Sequence, residues 1–214
     1  MPRLAIPGIL AFASAAILLL VSAVSPAWAT LPEYLPTTET KLTGVSGATE
    51  FRTGATENIK CPEDVVTGVA SGGTVTWNYE YKLCKFLGFQ INSLGDGPGI
   101  ILMRLNTTLL CYISKAENRA GVDLATTGVE MEVPAIKSTL LLSGGAVAEL
   151  KPVNKKESTG EQLLTQKEGK QSLLTCEGGK ETHFSISVNG GAAKAAGVES
   201  TESLKFASAL ELMA

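Results

Sequence analysis

"TVTWNYEYK", residues 74–82, decides the fold. Val75, Trp77, Tyr79 and Tyr81 fall on one face of an extended chain. Thr74, Thr76, Asn78, Glu80 and Lys82 fall on the other. Strict alternation built from β-branched and aromatic residues marks a half-buried strand. The same period recurs downstream. "GVEMEV" (128–133) sets Val129, Met131 and Val133 against Glu130 and Glu132, and "HFSISV" (183–188) sets Phe184, Ile186 and Val188 against His183, Ser185 and Ser187. "GIILMRL" (99–105), "TLLCYI" (108–113) and "STLLLS" (138–143) are more continuously apolar, the pattern of central strands covered on both faces.

Turn residues punctuate these runs. Ser71-Gly72-Gly73, Ser143-Gly144-Gly145, Glu177-Gly178-Gly179 and Asn189-Gly190-Gly191 read as turns. Asn-Gly between alternating segments is a hairpin signal, so His183–Val188 is expected to fold back on the segment after Gly191. "EQLLTQ-KEGK-QSLLTC" reads as a second hairpin, with Lys167–Lys170 as its loop. Long amphipathic helical windows are missing. "GAAKAAGVEST" (191–201) has the alanines of a helix, but Gly197 and its length argue against a long one. Many short strands with frequent glycine turns predict an all-β fold, an antiparallel β-sandwich or barrel.

"INSLGDGPGI" (91–100) holds three glycines, a proline and an aspartate. A phosphate cradle would need a following helix and a Gly-Lys-Ser/Thr run, and neither is there. A calcium loop would need several acidic ligands, and Asp96 is alone. A turn explains each residue: Gly for positive φ, Pro98 for fixed φ, Asp96 for a bond to backbone.

The N-terminus sets the expected compartment. Arg3, an uncharged apolar run over 9–24 and Ala27-Trp28-Ala29 make residues 1–29 a secretory signal peptide. The rival is an uncleaved anchor, since Leu4 to Val24 could span a bilayer, which needs about 20 apolar residues. Pro7, Gly8 and the small residues before Thr30 favour cleavage. Residues 30–41, "TLPEYLPTTETK", then form an extended, proline-containing arm. Residues 42–214 form a single β domain. The formal charge of −3, with lysines dispersed, argues against nucleic acid as partner. No basic amphipathic segment is present to hold a membrane surface, so a membrane enters only if the signal segment is retained.

Cys61, Cys84, Cys111 and Cys176 all lie beyond the signal segment. An even count in an exported chain implies disulfides, and four cysteines allow three pairings. The expected set is Cys61–Cys84 with Cys111–Cys176, because the first two stand on strand-like segments flanking one connection. No C-x-x-C spacing occurs, which argues against zinc or redox chemistry; no metal or cofactor is expected.

Catalysis finds little to work with. His183 is the only histidine and stands on a polar strand face, and no G-x-S-x-G elbow occurs. Glu130 and Glu132 lie about 7 Å apart on one face, whereas glycosidase carboxylates flank the bond from opposite walls. We expect no enzyme.

The N-terminal export segment with "LPEYLP" after it, the two cysteines around a β-hairpin, "NSLGDGPGIIL" and "ELKPVN" together resemble a group of small secreted proteins of soil actinobacteria. The resemblance implies export and an all-β domain, and brings no catalytic residue with it. The expectation is a secreted, disulfide-stabilised structural or interaction protein of the cell exterior, partnered by a cell-wall glycan or another envelope protein. The alternative is a glycan- or lipid-binding module, using the Trp77, Tyr79 and Tyr81 stripe as a stacking surface or a barrel cavity as an apolar pocket. Against the stacking surface stands the simpler reading of the stripe as core.

Overall fold

The computed structural model describes residues 31–52, 58–167, 170, 171 and 174–214. The segment read as a signal peptide, 1–29, lies outside them. The first strands are β1 (Glu33–Leu35), β2 (Thr40–Ser46), β3 (Thr49–Arg52), β4 (Asn58–Cys61), β5 (Glu63–Ser71) and β6 (Thr74–Lys82). Next come β7 (Lys85–Phe86), β8 (Phe89–Gln90), β9 (Asn92–Ser93), β10 (Ile101–Ser114), β11 (Arg119–Val133) and β12 (Ser138–Lys151). The last are β13 (Lys156–Leu164), β14 (Gln166–Lys167), β15 (Lys170–Gln171), β16 (Phe184–Val188) and β17 (Lys194–Met213). Among the described residues there is no α-helix, and so none long and apolar enough to cross a membrane.

The expected all-β, antiparallel architecture takes its barrel form. β2, β5, β6, β10, β11, β12, β13 and β17 each pair antiparallel with the next, and β17 returns to pair with β2. Closure leaves these staves without a free edge. β17 makes it possible. Its 20 residues pair with β16 and β3 near their start, with β2 and β13 in the middle and with β1 at the end.

Two expectations change with closure. The continuously apolar runs are not covered on both faces: Leu109 and Leu141 stand in solvent, because every stave of a single-walled barrel has a wet outer face. Ser143-Gly144-Gly145 is not a turn but the middle of β12. Gly144 has φ +89°, and a Cβ there would lie 2.0 Å from the His183 carbonyl oxygen, so the glycine admits the approach of the chain entering β16. The other three Gly-Gly signals are turns, and β16 folds back on β17 as expected. Ala195 and Ala196 of 191–201 join a strand, with Ala196 and Val198 buried. The hairpin at 166–171 is only two pairs long, Gln166 with Gln171 and Lys167 with Lys170. Residues 168, 169, 172 and 173 lie outside the described set. The preceding arm belongs to β13 and pairs with β12 and β17 instead.

The proline-containing segment is extended but not free. β1 pairs with the end of β17, and Tyr34 is buried against Phe206, ring centroids 5.7 Å apart. At one end of the barrel β5 turns into β6, β10 into β11 and β12 into β13. The other end carries a cap. β3, β4, β7 and β8 continue outward from β17 as a small sheet. Phe51, Ile59 and Phe86 are buried under it, and Phe51 meets Tyr81 edge-on at 5.1 Å. Burying such side chains contributes roughly 1.5–3 kcal/mol each. A 3-10 turn, Pro134–Ile136, joins β11 to β12 beside β8.

Both expected disulfides are present. Cys61–Cys84 ties β4 to the loop after β6, and Cys111–Cys176 straps the chain between β15 and β16 to the outside of β10.

Candidate functional site

The aromatic stripe faces inward. Trp77, Tyr79 and Tyr81 are 0–1 % exposed and step along β6 with centroids 6.0 and 5.9 Å apart. Trp77 lies opposite Gly68 on one neighbour and Leu105 on the other. Its indole N–H donates to Thr108 Oγ1 at 3.0 Å, and that hydroxyl donates to the Val75 carbonyl at 2.6 Å. The Tyr79 hydroxyl donates to Gln162 Oε1 at 2.9 Å, joining β6 to β13. Rings held this way present no face to a sugar, so the stripe is not the stacking surface the sequence allowed. Among the described residues the inward side chains pack against these rings and leave them almost no accessible surface, so no apolar pocket opens beside them.

Beside the rings lies a belt of polar residues. Cross-strand register puts Gln162, Glu202, Ser46, Asp64 and Tyr81 in one row over five staves. Directly opposed residues share a face of a sheet, so all point inward. Asp64 accepts from Ser46 N at 2.7 Å, Ser46 Oγ at 2.5 Å and Thr49 Oγ1 at 2.9 Å. It thereby holds the turn that links β2 of the barrel to β3 of the cap. Glu202 is fully buried, and neither of its oxygens has a hydrogen-bond partner. Burial first, and then the Asp64 carboxylate nearby, raise its pKa to about 8. Gln162 Nε2 and the Tyr81 hydroxyl are likewise buried without a partner. Burial also pushes the Tyr79 and Tyr81 hydroxyls well above the usual phenol range. Among the described residues no three acidic, histidine or cysteine side chains gather as a metal would need.

The cap is accessible. A groove of about 720 Å³ is lined by Asn58, Lys60, Pro62, Leu83, Lys85, Leu87, Gly88 and Gln90. Large apolar side chains border it in solvent: Leu83 and Leu87 are each 56 % exposed and Phe89 44 %. Ile136, on the turn beside β8, is 37 % exposed. Lys60 pairs with Glu50 at 2.9 Å, and Arg52 contacts the same carboxylate. Burial works to raise the Glu50 pKa, but the two cations win and hold it below the ordinary range.

The chain matches no family model, no curated protein and no solved structure.

The other residues nominated by sequence scatter. "INSLGDGPGI" is a turn: Asp96 N donates to Ser93 O and Ile100 N to Gly97 O, with Gly95 and Gly99 at positive φ. Asn92 at its start donates to Glu132, so Glu132 serves the loop while Glu130 is exposed. His183 is exposed just before β16. Sequence reading missed the belt and the cap tips. The signal for Glu202 was present. In "ESTESLKF" (199–206) it keeps step with Leu204 and Phe206, at a position where the alternation calls for an apolar residue. Nothing local marks Leu83 or Leu87 as exposed.

Proposed function

We propose that this protein is an exported, rigid interaction module that docks a partner on the capped end of its barrel and performs no small-molecule chemistry inside it. One observation carries the reading. A lobe braced by the Cys61–Cys84 disulfide holds Leu83, Leu87 and Phe89 in water beside a groove. Exposed apolar clusters with polar surroundings mark interaction sites. Two disulfides with no free cysteine suit an oxidising compartment outside the cytosol. A filled interior and a braced lobe supply rigidity, which lowers the entropy lost on docking.

The test is a photo-crosslinking residue at position 87, compared with one at position 109, where Leu109 is equally exposed on the barrel wall. The protein is expressed in its own cells and adducts are resolved by mass spectrometry. The reading expects a discrete adduct from position 87 and none from position 109. Equal labelling from the two positions, or none from either, overturns it.

A further inference from the structure

We infer that Asp64 and Glu202 share one proton inside the barrel, and that this proton latches the cap to it. The inference concerns how the cap is fastened and stands whether or not a partner docks there.

Register brings the two acids together. Glu202 lies opposite Ser46, and Ser46 lies opposite Asp64. All three point inward, and serine is short enough for the two longer side chains to meet over it. Glu202 is 0 % exposed and Asp64 2 %. Neither Glu202 oxygen accepts from an N–H or O–H of the described chain. A buried charge without a partner is costly, so Glu202 is carried as the neutral acid. Asp64 accepts from Ser46 N, Ser46 Oγ and Thr49 Oγ1, which makes it the acceptor for the Glu202 O–H as well. The other groups facing the pair are Gln162 of β13, Tyr79 and Tyr81 of β6 and Ser200 of β17. Burial holds both phenols neutral, and none of these groups is a cation that would balance a second charge.

When Glu202 gives its proton to water, two carboxylates stand together in a buried site. Glu202 is fixed in mid-stave, with β13 on one side and β2 on the other. Asp64 is at the end of the β2–β5 ladder, and its partners belong to a turn whose Gly47 and Ala48 already stand in solvent. The weaker side gives way. The turn opens, water reaches the pair, and Ser46 and Thr49 are released. β3, the strand by which the chain enters the cap, slackens with them. The Cys61–Cys84 disulfide still ties β4 to the barrel, so the movement stays local.

The experiment is NMR of the exported, purified protein across pH 5 to 9. The Glu202 carboxyl carbon reports its own titration. Hydrogen exchange, corrected for the intrinsic rate at each pH, reports opening at residues 46–51 and in β6 and β10. In the closed form the Glu202 pKa is raised from the ordinary 4.5 to about 8, by burial and then by Asp64, with the Ser200 hydroxyl working against them. The opened turn lets the proton go, so opening should gain about tenfold per pH unit up to pH 8 and level off above. Residues 46–51 should be less protected than the staves throughout. Glu202→Gln should keep them closed and remove the pH slope. A carboxyl carbon that titrates near pH 4.5 overturns the shared proton. Residues 46–51 that open without a pH slope, or only together with β6 and β10, overturn the latch, as does a slope that persists in folded Glu202→Gln.

Discussion

Glu202 shows how one residue can set a pH dependence. Its carboxyl is held up to about 8 in the fold, first by burial and then by Asp64. The unfolded chain gives up that proton near pH 4.5. Between these values the native state binds the extra proton, so stability falls as pH rises from about 4.5 to 8 and levels off above. Glu202→Gln keeps the shape of the protonated acid. It should leave stability unchanged at pH 4 and raise it at pH 8.5, by roughly 2–4 kcal/mol. Urea melts at the two pH values check this; an equal effect at both would mean that the side chain does not titrate in the fold. Trp77 makes the second prediction at this scale. With the signal segment removed it is the only tryptophan, and its emission should resist acrylamide until urea unfolds the chain. Thr108→Val leaves the indole N–H buried without an acceptor and should cost about 1–3 kcal/mol in the same melts.

Elements behave differently according to how they are closed. The staves are paired on both edges, whereas the cap is a sheet ending at the two-residue strand β8. The Cys61–Cys84 crosslink closes a short loop, and in the chain-entropy account that contributes about 3.4 kcal/mol. Cys61→Ser/Cys84→Ser should therefore loosen the cap before the barrel. Hydrogen exchange should speed up in β3, β4 and β7 while β6 and β10 stay protected. Uniform acceleration across all strands would show that cap and barrel unfold as one unit. A finer closure lies at Gln171. Its side-chain amide accepts from Val198 N at 2.8 Å and donates to Val198 O at 3.2 Å. One amide thus stands in for a strand partner where β17 would otherwise show a bare edge.

For the whole molecule, closure depends on β17. Leu204 lies opposite Gly44 of β2 and Gly160 of β13, and Leu212 lies opposite Tyr34 of β1. These contacts join the two ends of the described chain, so they form late and slowly compared with the local hairpins. Removing 204–214 strips half of the β13–β17 ladder and opens two edges. The shortened chain should lose its near-ultraviolet circular dichroism and associate in sedimentation. A monomer with the native spectrum would show that the barrel closes without the second half of its last strand.

Period and punctuation are local properties, and they were legible. Val75 to Tyr81 declared a strand with a buried face, and Ser71-Gly72-Gly73 declared its turn. Cys61 and Cys84 stood close enough along the chain for their pairing to be expected. Ser143-Gly144-Gly145 misled, because glycine signals a close approach as readily as a turn. Closure of the barrel, the row from Gln162 to Tyr81 and the gathering of Leu83, Leu87 and Ile136 were decided only by the tertiary structure. Each depends on the register between strands far apart in the chain, and register comes from the summed fit of all the staves, which no short window of residues contains.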